Sequence, residues 1–287
     1  MSYDKRIDLY GDGIGAVEYI QHMGSDLTIV NSARVSYGKE KQKLDAGDQN
    51  LIKYLLDHKH TSPFEHCSVT FRFTVPMYIS KQHMRHRTWS YNEISRRYTD
   101  VDLQFYEPKS YRSQHKTNRQ ASNNDAINPT LGNLPSRVMA GARFATAPLQ
   151  ASKAIAKFHK DSLRLYNGLI EFGVCREQAR GVLPQNLYTQ YFGTANLSNL
   201  FKFISLRIPT DAQWEIQAVA RAVLEITSNC FPVATEAWMS SSKTQKPKKT
   251  DDWFIENWDK IIESAGQEQE GQQEEQTKKK KGFFFRK

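Results

Sequence analysis

Fourteen residues, Arg85-His86-Arg87-Thr88-Trp89-Ser90-Tyr91-Asn92-Glu93-Ile94-Ser95-Arg96-Arg97-Tyr98, hold four arginines, a histidine, two serines, an asparagine and a glutamate. Guanidinium forks match phosphate oxygens in pairs and stay charged when partly buried. Asn92 and Glu93 offer the donors and acceptors that read the edge of a planar heterocycle. The chemistry that suits this stretch is recognition of a nucleotide. A short basic run is also what a solvated face or a weak nucleic-acid patch looks like. A solvated face, however, favours Lys and Glu and does not interleave Trp89, Tyr91, Ile94 and Tyr98 with arginine. Aromatic rings between arginines also suit stacking on single-stranded nucleic acid, so that reading stays open on composition.

The neighbouring pattern says how the stretch is held. Ser68 to Val75 alternates Val69, Phe71, Phe73 and Val75 with Thr70, Arg72 and Thr74, the mark of a half-buried strand. Pro76 suits the first turn of a helix running to about Arg87, which places the arginines at a helix end and in the loop beyond. Gln49 to His58 has apolar residues at 51, 52, 55 and 56, a helical spacing. Leu27 to Val30 is a short β-rich run. Tyr10-Gly11-Asp12-Gly13-Ile14-Gly15 mimics a dinucleotide loop, but no apolar strand precedes it, and it reads as a turn. Tyr106 to Gln150, with Pro108, Pro129, Pro135 and Pro148, reads as a long loop. Ala151 to Phe172 reads as an amphipathic helix burying Ile155, Phe158, Leu163, Tyr166 and Ile170. Leu187 to Ala195 reads as a strand, and Leu197 to Leu206 as a short helix. Ala212 to Cys230 reads as a second long helix, with Trp214, Ile216, Val219, Val223 and Ile226 as its apolar surface.

The composition changes after Trp238. Ser240 to Ser242 and Lys246 to Lys249 read as a linker, Asp252 to Glu263 as a short amphipathic helix, and Gln267 to Gln276 as a stretch unable to build a core. The division is a domain over 1–242 and a low-complexity, flexible charged tail over 243–287. The tail ends in Lys278 to Lys281 and Phe283 to Phe285, a basic-aromatic end that also suits a membrane surface or nucleic acid. Of the net charge of +9, the tail holds eleven basic against nine acidic residues, so the excess lies in the body. A protein with phosphorylated ligands and a nucleic-acid binder both show such an excess. Cys67, Cys175 and Cys230 are far apart, and no CxxC or Cys/His metal spacing occurs. No disulfide framework and no metal site are expected, and the cytoplasm (that of a host, for a viral protein) is the default. There is no secretory signal at the start and no apolar run long enough to span a bilayer.

The spacing of the arginine stretch resembles the signature of the flavin-dependent thymidylate synthases: Arg-His-Arg, two residues, Ser, one residue, Asn-Glu, one residue, Ser, one residue, Arg-Tyr. Thr61-Ser62-Pro63-Phe64-Glu65-His66 is similar to the family's upstream segment. Arg180 to Pro184 with Asn186 to Thr189 is similar to its downstream one. Leu206-Arg207 and Ala212 to Gln217 follow, so the likeness covers roughly Asp26 to Trp238. Asn118 to Ser122 resembles a segment that borders the pocket. The resemblance implies an α/β (α+β) fold, a twisted, mainly antiparallel sheet flanked by helices, in a homotetramer whose subunits share active sites. It implies reductive methylation of deoxyuridylate (dUMP) to thymidylate (dTMP), with FAD as cofactor, 5,10-methylenetetrahydrofolate as carbon donor and NADPH as reductant.

The resemblance also implies roles. Ser68, Arg85, His86, Arg87, Glu93, Asn196 and Lys202 match flavin contacts. Gln82, Arg85, Glu93, Ser95, Arg96, Arg97, Arg180 and Arg207 match the dUMP site. Arg207 matches the catalytic cation that favours ionisation at N3 of the uracil, and a fixed cation would stabilise the anion that develops there. Each residue has a plainer reading. His66 could be a core histidine, Glu93 the partner of a nearby arginine, Arg180 a helix cap and Arg207 half of a surface ion pair. Ser95 has no base in the motif to activate it and reads as a binding residue. No cysteine stands where its thiol would be activated, and Cys67 reads as structural. A flavin route needs no such nucleophile. Two positions depart from the family. Ser198 stands where arginine is frequent, and Lys202 where asparagine or histidine is, so Lys202 restores a charge that Ser198 removes. A single-stranded nucleic-acid binder and a catalytically dead flavoprotein are the rival readings.

Overall fold

In the computed structural model, residues 6–119, 121–132 and 148–241 are described. The strands are β1 (Arg6–Asp8), β2 (Ala16–Met23), β3 (Ser68–Pro76), β4 (Ser90–Glu93), β5 (Tyr111–Gln114), β6 (Ser122–Ile127) and β7 (Tyr188–Asn196). The helices are α1 (Asp26–Arg34), α2 (Ala46–Asp57), α3 (Ser62–Glu65), α4 (Met77–His83) and α5 (Ala151–Glu171). They continue with α6 (Arg176–Ala179), α7 (Leu197–Arg207), α8 (Trp214–Cys230) and α9 (Pro232–Ser240). The central sheet runs β1-β2-β3-β7-β4 and is antiparallel throughout; β5 and β6 form a separate pair. The tail over 243–287, including Asp252 to Glu263, and the stretch 133–147 lie outside the described residues.

The spine is the β3–β7 ladder, which runs unbroken from Ser68 opposite Asn196 to Pro76 opposite Tyr188. The alternation legible in β3 decides its faces. Val69, Phe71, Phe73 and Val75 are fully buried with Val17 and Tyr191. Burying side chains of this kind stabilises by about 1.5–3 kcal/mol each. The other face carries polar pairs: Thr70 with Thr194 at 2.9 Å, and Arg72 with Glu18 at 3.3 Å. Helices α7 and α8 carry the rest of the core, with Leu200, Phe203, Ile204, Ile216, Val219 and Val223 all buried. Gly193 sits where a Cβ would come within 2.8 Å of the Phe73 ring and 3.4 Å of Trp89. Its lack of a side chain lets those rings close over β7, opposite Tyr91 of β4.

Several elements differ from the sequence expectations. Leu27 to Val30 lies in α1, not in a strand. Thr28 Oγ1 accepts the Ser25 N–H at 3.0 Å, and Asp26 stands in the first turn, so helix-start chemistry overrides the β preference of Ile29 and Val30. The long loop contains the β5–β6 hairpin, anchored where Arg112 meets Glu215 of α8 at 3.1 Å. Helix α4 ends at His83 rather than near Arg87, because the Tyr91 hydroxyl donates to the carbonyls of His83 at 2.9 Å and His86 at 3.2 Å and turns the chain. The signature is therefore partly strand: Ser90–Glu93 pairs with β7. Of the core residues expected on α5, only Tyr166 is buried, at 1% exposure, whereas Phe158 is 54% exposed. Strand β2 has no counterpart in the sequence reading. The glycine-rich stretch at 10–15 is the expected turn. Asp8 accepts from the backbone N–H groups of Gly11 at 2.8 Å and Gly13 at 3.1 Å, and both glycines take positive φ.

Candidate functional site

Two segments bring the first group together. The turn after α4 carries Arg85, His86 and Arg87, and α7 carries Ser198, Lys202 and, at its last residue, Arg207. Arg207 donates its Nε–H to His86 Nε2 at 3.1 Å across 121 residues of sequence. This pairing replaces the surface ion pair that was the plainer reading of Arg207. Burial and then the Arg207 and Lys202 cations push the His86 imidazole down to about 4, so it is neutral and can accept. Burial and neighbouring Arg85 also lower Arg207 from its ordinary value. The His86 ring stands edge-on to Phe203 at 5.0 Å. Behind it, His83 is wholly buried, meets the Tyr191 hydroxyl at 2.9 Å and packs on Phe73, Trp89 and Phe203. Burial holds His83 far below its ordinary value.

The second group surrounds the loop that follows β4. Arg96 turns inward, donating to the carbonyls of Val101 at 2.6 Å, Asp102 at 3.4 Å and Tyr188 at 3.3 Å. That grip steadies Asp102, which has a φ of 52°. The Arg96 guanidinium, expected in the dUMP site, is thus committed to its own backbone, and burial lowers its pKa. Arg97 pairs with Glu177 at 3.1 Å, and Arg180 Nε donates to the Glu177 carbonyl at 3.3 Å. Both are exposed and stand at α6. For Arg180 the helix-capping reading holds in this geometry. Ser95 Oγ accepts the Arg97 N–H at 3.3 Å, and Glu93 takes the Thr189 hydroxyl at 2.6 Å rather than an arginine. Among the described residues, no hydrogen bond or ion pair joins Arg97 or Arg180 to the Arg207 group.

The remaining expected residues lie on the sheet's ends and flank. Ser68 and Asn196 face each other at one end of the β3–β7 ladder. Asn196 caps α7 by accepting the Asn199 N–H at 3.0 Å, which leaves its amide NH₂ for a ligand. Gln82 bonds Gln213, whose amide reaches Glu215 at 2.9 Å, and Glu215 in turn holds Arg112. Gln213 and Glu215 lie within the Ala212 to Gln217 segment, and the sequence signal for them is a carboxylate on an otherwise apolar helix face. His66, at the end of α3, is exposed and not a core residue. Cys67 is buried and its thiol is pushed up to about 12 by burial, as is that of Cys230, so neither is an activated nucleophile. Cys175 lies at the surface ahead of α6.

The donor set fits a large anionic heterocyclic ligand. Arg85, Arg87 and Lys202 are exposed, and among the described residues none has a carboxylate partner. The Asn196 amide and the neutral His86 add uncharged polar edges. No cluster of three or more His, Cys, Asp or Glu suited to a metal occurs among the described residues. No helix among them is long and apolar enough to cross a membrane.

Comparison with known proteins gives this arrangement relatives. A family model described as thymidylate synthase complementing protein matches residues 18–233. The flavin-dependent thymidylate synthase of Thermus thermophilus is 40% identical over 224 residues, covering 78% of this chain and 75% of that protein. The protein of the same name from Thermosipho melanesiensis is 36% identical over 227 residues, covering 78% and 90%. Among solved structures, a UMP/dUMP methylase, PolB, from Streptomyces cacaoi, bound with 5-Br dUMP, superimposes with a TM-score of 0.67. It is 30% identical, and the match covers 84% of this chain and all of that one.

Proposed function

The chain belongs to the flavin-dependent thymidylate synthase family, and on that premise we propose that it methylates C5 of dUMP to give dTMP. The proposal includes FAD as the flavin, 5,10-methylenetetrahydrofolate as carbon donor and NADPH as reductant. The observation that carries it is the cation group of Lys202 and Arg207 beside a neutral imidazole, with Arg85 near Arg207, Arg207 oriented and, among the described residues, no carboxylate paired with it. When bound, the flavin supplies the electrons that turn the transferred carbon into a methyl group.

The chain's own residues bind, orient and polarise. Arg207 stabilises the negative charge that spreads over N3 and the carbonyl oxygens of the uracil as C5 becomes nucleophilic. Arg97, Arg180 and Ser95 are donors for the nucleotide phosphate, and Glu177 is the counter-ion that phosphate would displace. Arg96 serves that site by gripping the loop, its backbone N–H remaining available. Gln82 and Glu93 read the nucleotide. Ser68, Arg85, His86, Arg87, Asn196 and Lys202 hold the flavin. No cysteine thiolate is needed, in keeping with the buried thiols of Cys67 and Cys230.

The proposal extends to a cytoplasmic homotetramer with shared pockets. In support, Phe158, Leu165 and Phe172 along and just past α5 are 54%, 54% and 89% exposed, apolar area that another copy would bury. The test is the absorption spectrum of the purified protein followed by turnover of dUMP. A yellow protein that forms dTMP is expected. A colourless protein that takes up no added FAD refutes the reading, and a flavin-loaded protein inert on dUMP would be the dead flavoprotein.

A further inference from the structure

We infer that His86 is a positioning residue for Arg207: its Nε2 lone pair receives the Arg207 Nε–H and sets the plane in which the guanidinium meets the uracil. The inference rests on the function proposed above and adds a role that a flavin contact alone would not have. Arg207 closes α7, where the last turn leaves a long side chain free to sweep. Its one hydrogen bond among the described residues is the 3.1 Å contact to His86. With Nε engaged, the torsions next to the guanidinium are fixed and both Nη groups remain for the substrate.

The acceptor is itself held from behind. The His86 N–H donates to the His83 carbonyl at 2.9 Å, and the His86 carbonyl accepts from the Tyr91 hydroxyl at 3.2 Å. Its ring lies edge-on to Phe203. None of these contacts involves Arg207: the His86 backbone is held on both its N–H and its carbonyl, and its ring packs on Phe203, independently of the guanidinium. A neutral imidazole has one acceptor nitrogen. Use of Nε2 therefore fixes the tautomer, with the proton on Nδ1. The choice of an imidazole over a carboxylate has a physical reason. A carboxylate would orient Arg207 more strongly but cancel the charge that must act on the substrate. A neutral ring orients the cation and leaves its field intact. Burial, with the Arg207 and Lys202 cations, opposes protonation of that ring and so preserves the acceptor.

The test uses the full-length, flavin-loaded protein and three variants, His86→Gln, His86→Asn and His86→Leu. The glutamine amide oxygen reaches the place of Nε2; the shorter asparagine reaches only that of Nδ1. Flavin content is measured first, so that turnover is compared per bound flavin. Parent turnover of dUMP is the control for the proposed function itself, and its absence would condemn that reading rather than this one. His86→Gln should stay within about fivefold of the parent in kcat. His86→Asn and His86→Leu should each lose about tenfold or more, the scale of a charge-assisted hydrogen bond. Calorimetric dUMP affinity, a readout independent of turnover, should fall in the same order. The loss in His86→Leu should also vanish in an Arg207→Ala background, because the two residues act as one unit. Equal behaviour of Gln and Asn, or additive losses in the double variant, would overturn the inference. If the Leu variant does not fold, the Gln and Asn pair decides alone.

Discussion

Replacing Arg207 by alanine should damage chemistry far more than folding, and the structure sets both magnitudes. In the fold, Arg207 contributes one hydrogen bond to a neutral ring and sits near Arg85, whose charge opposes it. A bond with one charged partner is worth about 1.5–3 kcal/mol when buried, but the site is half-exposed and the relieved repulsion offsets part of it. A net cost near 1 kcal/mol corresponds to a melting shift of about 2–4 °C for a domain of this size. In the reaction, a guanidinium about 4 Å from the developing uracil anion contributes ~4 kcal/mol at an effective dielectric of about 20, and ~2 kcal/mol if solvent doubles that value. The expected loss in kcat is therefore about thirtyfold to a thousandfold, in line with removal of one oriented donor. The assay is release of the C5 hydrogen of dUMP, with flavin content and oligomeric state measured on the same preparation. Arg207→Lys should recover only part of the loss, since an ammonium cannot bond His86 and the substrate through one rigid plane. A variant that turns over at nearly the parent rate would refute the electrostatic role. One that fails to fold would make Arg207 structural.

The other predictions concern the flavin, the buried acid and the tail. Lys202 and Ser198 lie one turn apart on α7, and Lys202→Ala should weaken flavin affinity more than Ser198→Ala does in a fluorescence titration; equal, negligible effects would place the flavin's contacts elsewhere. Asp26 is buried against the first turn of α9, accepting from the backbone N–H groups of Val233 at 3.1 Å and Ala234 at 2.9 Å, and burial raises its carboxyl from 3.8 to about 6. The folded state thus holds the proton more tightly than the unfolded state, and stability declines as pH rises from about 4 to 6. Asp26→Asn cannot titrate and should gain on the parent by up to ~3 kcal/mol over that window in urea melts; a constant difference across pH would contradict the shift. Truncation after Ser242 should leave dTMP formation unchanged, because the family match ends at 233 and the composition of the tail cannot build a packed site; collapse of activity in a truncated protein of unchanged oligomeric state would show the tail at work.

Sequence alone determined the elements whose logic is local. The alternation of β3, the helical spacing of α2, α7 and α8, and the turn at 10–15 all stand as read. The family was legible too, because the signature constrains many positions within a few residues. What tertiary structure decided depends on partners far along the chain. Ser90–Glu93 is a strand only because β7 lies beside it, and Leu27 to Val30 is helical because capping and the core outweigh β preference. The apolar residues of α5 obey the right period, yet of the five expected to be buried only Tyr166 is. Period locates a face but not what covers it. Composition alone could not separate the arginines of the signature. Arg96 turns inward to carbonyls, Arg97 outward to Glu177, and Arg85 stands beside Arg207. The pairing of His86 with Arg207 spans 121 residues and depends on the end of α7 meeting the turn after α4. Periodicity and motif spacing report on near neighbours in sequence; the direction of a side chain and the charge state of its partner are set by the packing that brings distant segments together.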